Sequence, residues 1–168
     1  TQVYPTWDGA GTVKLVILNN DLMPASSTLV KKVKEEIDPE DKETQGYGLA
    51  PIDHRVTVTA PEAFTVNIAM NVTIADSVNV DTIKANIKNS LEEFFKSLRK
   101  DWDTVNPTVG RGYSMTIYRS KILSRVMMIV GVANATMPRL NGKDEDLQLV
   151  FNNATSQLPI LGEVTINV

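Results

Sequence analysis

His54 and Asp53 are the residues in this chain best suited to acid–base chemistry. A carboxylate that orients a histidine can make it a general base, because the histidine pKa lies near neutral pH. The chain has one histidine and no cysteine, so no second histidine completes a zinc triad and no thiol nucleophile is present. No serine in a nucleophile motif accompanies the pair. We therefore expect His54 to mark the start of a strand, and we assign no catalytic residue.

Two short glycine pairs could suggest a phosphate-binding loop: Gly46 with Gly48, and Gly110 with Gly112. A phosphate cradle needs a longer glycine-rich loop that runs from a strand into the N-terminus of a helix. The first pair leads into a predicted strand, and the second lacks the lysine of the motif. Both pairs therefore favour simple loop flexibility, and we predict no cofactor.

Acidic residues cluster at two places in the chain. Asp144, Glu145 and Asp146 follow one another directly, without the alternating spacing of a calcium loop that ends in a bidentate glutamate. Asp101 and Asp103 flank Trp102 at a predicted helix end. Their side chains are expected on opposite faces, so they form a poor carboxylate pair for hydrolysis. We expect a solvated turn at the first cluster and predict no metal site.

The composition is that of an ordinary globular chain. Its 168 residues are 42% hydrophobic and 22% charged, which allows a sizeable core in one domain, or in one domain with an appendage. The net charge of −3 and the scattered basic residues argue against a nucleic-acid partner. No apolar run approaches the roughly 20 residues that a membrane helix needs. The absence of cysteine excludes disulfide bonds.

The elements of the predicted fold are organised around residues 46–75. From 64 to 74, apolar residues occupy every even position and polar or small residues the odd ones, which is the period of a strand with one buried face. Val56 and Val58 alternate in the same way, and a short segment containing Pro61 separates the two runs. The pattern predicts a strand–turn–strand hairpin.

Three helices are predicted from capping residues and from apolar residues that recur every three or four positions. The first can be capped by Ser26 or Ser27 and the second by Asn79 or Asp81, while Ser120 opens the third; the second is the longest. In the first helix, Lys34 is expected among the charged residues of the solvent-exposed face.

The remaining elements are strands. Residues 12–18 are apolar on both faces, which predicts a central strand that is covered on each side. A loop is expected between Pro159 and Gly162. Shorter strands are predicted at residues 113–118, 132–137, 147–151 and 164–168.

The predicted fold class is α+β. The order β-α-β-β-α-β-α-β-β-β begins with the six elements of a ferredoxin-like (split βαβ) core, followed by an extra helix and C-terminal strands. Residues 1–11 are expected to be an N-terminal linker or the remnant of an upstream domain. Residues 12–137 form the expected α+β core domain, and residues 138–168 form a C-terminal β extension packed on that core.

The chain has more apolar side chains near its helices than one buried stripe on each helix requires. They are Phe94, Phe95, Met127, Met128 and Trp102. Packing in the core is the favoured interpretation. The alternative is that Phe95, Met127 or the segment around Trp7 belongs to a subunit interface, where aromatic and methionine side chains are enriched.

A series of short sequence phrases, taken in their order along the chain, resembles the baseplate J-like family of contractile phage tails. The most recognisable is Gly46-x-Gly-Leu-Ala-Pro-Ile52, followed by Val56-Thr-Val58; the family usually has glycine where this chain has Asp53, a residue that also tolerates turn geometry. Family members are longer, so the resemblance places this chain in their C-terminal portion. The other phrases are Gly9-Ala-Gly-Thr-Val13, Pro24-Ala-Ser, Phe95-x-x-Leu98, Ile117-Tyr-Arg-Ser120, Gly131-Val132 and Leu158-Pro-x-Leu-Gly-Glu-Val164.

The resemblance implies a structural protein and not an enzyme. It implies a wedge subunit of a contractile-tail baseplate, in a phage, a prophage or a related injection particle. Its implied partners are other baseplate and tail proteins in a hetero-oligomeric ring, with no nucleic acid, membrane or small-molecule substrate. The implied location is the tail baseplate of the virion, and the host cytoplasm during assembly. No cofactor, metal or catalytic residue comes with the family.

The alternative from the residues alone is a small-molecule-binding regulatory domain of ferredoxin-like topology. Such a domain would show ligand-dependent thermal stabilisation. A glycan or peptidoglycan hydrolase ranks last, because the chain offers no credible carboxylate pair.

Overall fold

The computed structural model describes residues 1–76, 78–106 and 112–168. The described part contains both helices and strands, so the α+β class is confirmed. None of its helices is long and apolar enough to cross a membrane. The elements are β1 (Gln2–Pro5), β2 (Thr12–Val16), α1 (Ser27–Ile37), a 3-10 helix (Glu40–Lys42), β3 (Arg55–Thr59), β4 (Glu62–Ile74), α2 (Val80–Lys100), β5 (Thr116–Ile117), α3 (Arg119–Met127), β6 (Val132–Ala135), β7 (Arg139–Leu140), β8 (Leu147–Gln148) and β9 (Gln157–Asn167).

The chain divides into two compact units. The first comprises Thr1–Ala63, Asp103–Tyr113 and Val150–Leu158, and the second comprises Phe64–Trp102, Ser114–Leu149 and Pro159–Val168. This division differs from the predicted core at 12–137. In particular, the segment expected to be a linker or remnant contains β1, which is a strand of the first unit's sheet.

The sheet of the first unit has the order β1-β2-β3. Strand β2 runs antiparallel to β1 and parallel to β3, and α1 lies between β2 and β3 in the chain. The prediction that this strand is central is confirmed, since β2 pairs with β1 along one edge and with β3 along the other, but the strand ends at Val16 and not at residue 18. Two adjacent parallel strands with a helix between them form a βαβ unit.

Helix α1 covers one face of this sheet. Its N-terminus is capped by Ser26, whose hydroxyl accepts a hydrogen bond from the Leu29 amide at 3.2 Å. The helix ends before Asp38-Pro39, where the proline disfavours helical geometry in the residue that precedes it. The apolar residues packed between helix and sheet are Val13, Leu15, Ile17, Leu29, Val30, Val33, Ile37, Val56 and Val58.

The second unit is built around β4. This strand pairs antiparallel with β6 and β7, and it also pairs with β9. The predicted alternation is confirmed, because Val66, Ile68, Met70 and Val72 are buried. Helix α2 is capped by Asn79, one of its two candidate capping residues, and buries the apolar stripe Ile83, Ile87, Leu91, Phe94 and Phe95.

The predicted hairpin is wrong. Strand β3 pairs with β2, and β4 pairs with β6, β7 and β9, so the two strands belong to different sheets. Alternation fixes which face of a strand is buried, but it does not select the neighbouring strand. The ferredoxin-like arrangement required these strands to share one sheet, and it is not confirmed.

The predicted loop between Pro159 and Gly162 is also wrong, because both residues lie inside β9. Proline is tolerated at a sheet edge, and β9 pairs with β4 alone among the described strands. A Cβ atom at Gly162 would stand within 3 Å of the side chains of Asn67 and Thr65, so this glycine permits a close approach between the strands.

Candidate assembly surface

The structure does not join His54 and Asp53 into a base-orienting pair. Nδ1 of His54 lies 3.3 Å from the carbonyl oxygen of Ile52, and the imidazole is exposed to solvent. Asp53 instead has a turn role, since its φ angle is +65°. Asp and Asn tolerate this left-handed region better than most residues, so Asp53 can occupy the turn.

The acidic cluster after Gly142 binds protein cations. A carboxylate oxygen of Asp144 lies 2.8 Å from the Arg119 guanidinium, and Oδ1 of Asp146 accepts the Arg119 amide at 2.8 Å. Glu145 lies 3.3 Å from Nζ of Lys143. These contacts tie the turn to the start of α3. Within the described residues there is no group of three or more His, Cys, Asp or Glu side chains that could hold a metal ion.

The first glycine pair, Gly46 and Gly48, is required by the backbone geometry of the loop, and the prediction of simple loop flexibility is wrong for it. Gly46 has a φ angle of +73°, in the region that favours glycine. At Gly48 an added Cβ atom would lie 2.4 Å from the carbonyl oxygen of Ile37, so only glycine allows the backbone to approach the end of α1. Of the second pair, Gly110 lies outside the described residues.

Residues 46–52 form a loop, called here the 46–52 loop, that is attached to the C-terminus of α1. The amide of Leu49 donates to the carbonyl of Glu36 at 3.3 Å, and the amide of Ala50 donates to that of Ile37 at 2.8 Å. The last carbonyls of a helix lack partners within the helix, and these two bonds supply them. The loop is therefore held by the backbone, which leaves its side chains free to face solvent.

The side chains of the 46–52 loop are unusually apolar for a surface. Leu49 is 81% exposed, and Tyr47 and Ile52 are each about two-thirds exposed at 68% and 67%. Nζ of Lys42 lies 4.5 Å from the centroid of the Tyr47 ring. Clustered exposed apolar residues on a globular protein often mark a surface that contacts another protein.

A second exposed apolar group lies at the C-terminal end of α3, in the other unit. Met127, Met128 and Val130 are exposed, and Val130 reaches 92%. The interface hypothesis for Met127 is therefore compatible with its position. It is wrong for Phe95, which is fully buried in the core together with Trp102. Trp7 packs on its own unit, with its ring 5.5 Å from Nζ of Lys14.

A buried ionic cluster holds the chain that leads into the 46–52 loop. Nζ of Lys34 lies 2.9 Å from Asp38 and 2.7 Å from Glu43. The Asp38 carboxylate also accepts the amides of Thr44 at 3.2 Å and Val56 at 2.9 Å. Lys34 is buried, so the prediction that it lies on the solvent-exposed face is wrong.

The environment of the cluster stabilises both charges. Burial of the Asp38 carboxyl raises its pKa, but the hydrogen bonds from Val56, Lys34 and Thr44 outweigh that effect, and its pKa lies below the ordinary value. Burial lowers the pKa of Lys34, but its bonds to Glu43 and Asp38 outweigh this, and its pKa is raised. Asp38 therefore remains a carboxylate at neutral pH and connects α1, the loop and β3.

Comparison with known families divides the chain at the junction between β3 and β4. Residues 1–60 match the model of the baseplate J-like central domain, and residues 66–167 match that of the baseplate J-like protein C-terminal domain. The chain belongs to the baseplate J-like protein family. The boundary between the two models falls where the structure passes from one sheet to the other, and the resemblance inferred from the short phrases is confirmed.

Two relatives from Bacillus subtilis (strain 168) align with nearly the whole chain. The phage-like element PBSX protein XkdT and the uncharacterized protein YqbT are each 34% identical over 165 residues, which is 98% of this chain and 42% of the relative. The chain thus spans less than half the length of these curated relatives.

Similar folds are found among solved structures. A chain in the cryo-EM structure of the anti-feeding prophage baseplate, 6-fold symmetrised, matches 88% of this chain and 29% of its own length with a TM-score of 0.53. The sequence identity is 11%, so this match shows a common fold.

Proposed function

We propose that this chain forms part of a structural, non-enzymatic wedge subunit in the baseplate of a contractile phage tail or a related prophage particle. The observation that carries the proposal is the match to both baseplate J-like domains, which together account for nearly all of the chain. The relative XkdT is named for a phage-like element, and the similar solved structure is a prophage baseplate.

The proposed mode of action is assembly with other baseplate and tail proteins in a ring around the tail hub. The 46–52 loop is the contact that we assign to this role. Its backbone is held on α1, while Tyr47, Leu49 and Ile52 face solvent. A loop whose backbone is ordered before contact can bury apolar area without first losing backbone freedom. The subunit would be located in the virion, and in the host cytoplasm before assembly.

Replacing Leu49 tests this assignment. In the full-length protein, Leu49→Asp is expected to reduce incorporation into sedimenting baseplates or tails by at least about 10-fold, which corresponds to roughly 1.4 kcal/mol of lost contact energy. Thermal unfolding should hardly change, because Leu49 is exposed and substitutions at such positions usually have small effects. Quantitative immunoblotting of purified particles measures the incorporation.

His54→Ala provides the matched control in the same region. Its imidazole is exposed, so the variant is expected to enter particles at the wild-type level. Normal incorporation of Leu49→Asp would remove the 46–52 loop from the assembly contacts. A hydrolytic activity of the full-length protein that disappears with His54→Ala would contradict the structural function itself.

A further inference from the structure

Lys14 is a buried cation in the middle of β2, the central strand of the first unit. Its neighbours along the strand, Val13 and Leu15, pack against the cluster under α1, so Lys14 lies on the opposite face of the sheet. The residue is only 6% exposed. Lysine is almost never this buried without a charged partner, so its environment calls for a physical explanation.

The contacts of Lys14 leave its charge without a counter-ion. Nζ donates to the carbonyl oxygens of Asn153 at 2.8 Å and Ala154 at 3.2 Å. It also lies 5.7 Å from the Tyr4 ring centroid and 5.5 Å from that of Trp7. No carboxylate among the described residues forms an ion pair with it. An ammonium has three donors, and protein carbonyls accept from it at two of these contacts.

The same lysine lines a cavity of about 230 Å³ in the first unit. A water molecule occupies about 30 Å³ in the liquid, so the cavity has room for a small organic group. Hydroxyl-bearing residues Thr59, Thr155 and Ser156 contribute to its wall, together with Val16 and two alanines. A cation, hydroxyl donors and a small apolar wall suit a carboxylate attached to a short carbon chain.

Glu62 also lines the cavity, and it restricts which anion can enter. Its side chain is exposed, and it forms no ion pair with Lys14. A negative group in the same cavity disfavours multiply charged anions such as phosphate, because like charges repel more strongly as the ligand charge rises. The cavity is therefore better suited to a single negative charge.

We propose that the Lys14 cavity binds one carboxylate group. The carboxylate supplies the missing counter-ion and accepts from the ammonium. The hydroxyls of Thr59 and Thr155 can donate to its second oxygen, whereas the Ser156 hydroxyl already donates to the side-chain oxygen of Gln2. A free short-chain carboxylic acid and an acidic side chain of a neighbouring protein present the same group. This site is separate from the 46–52 loop, so it can be tested independently of the proposed assembly contact.

The pKa of Lys14 can be used to detect binding at this site by NMR in the wild-type protein. Burial lowers the pKa of the Lys14 ammonium, because the charged form loses solvation. A bound carboxylate favours the charged form and must raise that pKa. The full-length protein with ¹³C-labelled lysine is titrated with sodium acetate against sodium chloride at equal ionic strength, and the Lys14 Cε resonance reports the pKa.

Acetate is expected to raise the pKa of Lys14 and the unfolding temperature, whereas chloride and the neutral isostere acetamide should change neither. Lys14→Met should abolish the acetate effect. Glu62→Gln should strengthen acetate binding several-fold, since it removes the like charge while the Glu62 amide keeps its bond to Ser156. If acetate acts no differently from chloride or acetamide on the wild-type protein, the proposal is wrong, whether or not Lys14→Met folds.

The source of the carboxylate is then decided by particle assembly. If acetate binds and a Lys14→Met protein that unfolds cooperatively is nevertheless lost from particles, an acidic side chain of a partner occupies the cavity. If acetate binds and Lys14→Met enters particles normally, the cavity takes a free carboxylic acid. Either result supports carboxylate binding, and neither depends on the outcome at the 46–52 loop.

Discussion

Phe95→Ala is expected to lower the free energy of unfolding of the second unit by about 3–5 kcal/mol, the usual cost of removing a buried phenyl ring. The Phe95 side chain is fully buried, and its ring meets that of Phe94 edge to face with the centroids 5.8 Å apart. Its removal leaves a cavity and abolishes this aromatic contact. Urea denaturation monitored by circular dichroism measures the change.

Tyr118→Ala is the matched control, since it removes an aromatic ring that is 42% exposed in the same unit. The expected loss is within about 1 kcal/mol. The result also tests the assignment of Phe95 to the core and not to an interface. A Phe95→Ala protein of normal stability that failed to assemble would identify an interface residue and contradict the structure.

Asp38→Ala is expected to cost about 3 kcal/mol of unfolding free energy at pH 7, because it leaves the buried Lys34 ammonium with Glu43 alone and orphans two backbone amides. Asp41→Ala, a neighbouring exposed aspartate, is the control and should change little. Equal effects of the two substitutions would show that the buried cluster does not contribute to stability.

The pH dependence of Asp38→Ala has a defined sign. The folded-state pKa of Asp38 lies below the ordinary value of 3.8, so its stabilising contribution is fully present above that value and is lost as pH falls through the lower folded pKa. The stability difference between wild type and Asp38→Ala should therefore be constant near neutral pH and shrink below pH 3.8. A difference that persists unchanged in strong acid would mean that Asp38 acts through packing and not through its charge.

Local features of the fold could be predicted from the sequence, since they depend on neighbours along the chain. The period of β4 identified its buried face, and the caps Ser26 and Asn79 marked the starts of α1 and α2. The partners of each strand could not be predicted in this way. Pairing is decided by contacts between distant segments, and alternation is the same whichever strand lies alongside.

The candidate site, like the fold, could be predicted only in part from the sequence. The Gly-Leu-Ala-Pro-Ile phrase drew attention to the 46–52 loop, but the sequence did not show that Leu49 and Ile52 face solvent. Lys34 and Lys14 were both missed as buried charges, since a lysine in an amphipathic or apolar pattern is assumed to reach water. For Lys14 a signal did exist, because it interrupts an otherwise apolar run of a strand predicted to be covered on both faces.

The close approach of Gly48 to the end of α1 has a consequence for the thermodynamics of association. Ordering one residue of free backbone costs about 1–2 kcal/mol of conformational entropy at room temperature. Because Leu49 and Ala50 donate hydrogen bonds to the carbonyls at the end of α1, the backbone of the loop is already ordered when the chain folds. A partner that binds the loop therefore has little backbone left to order, and the remaining entropy cost is that of the exposed side chains.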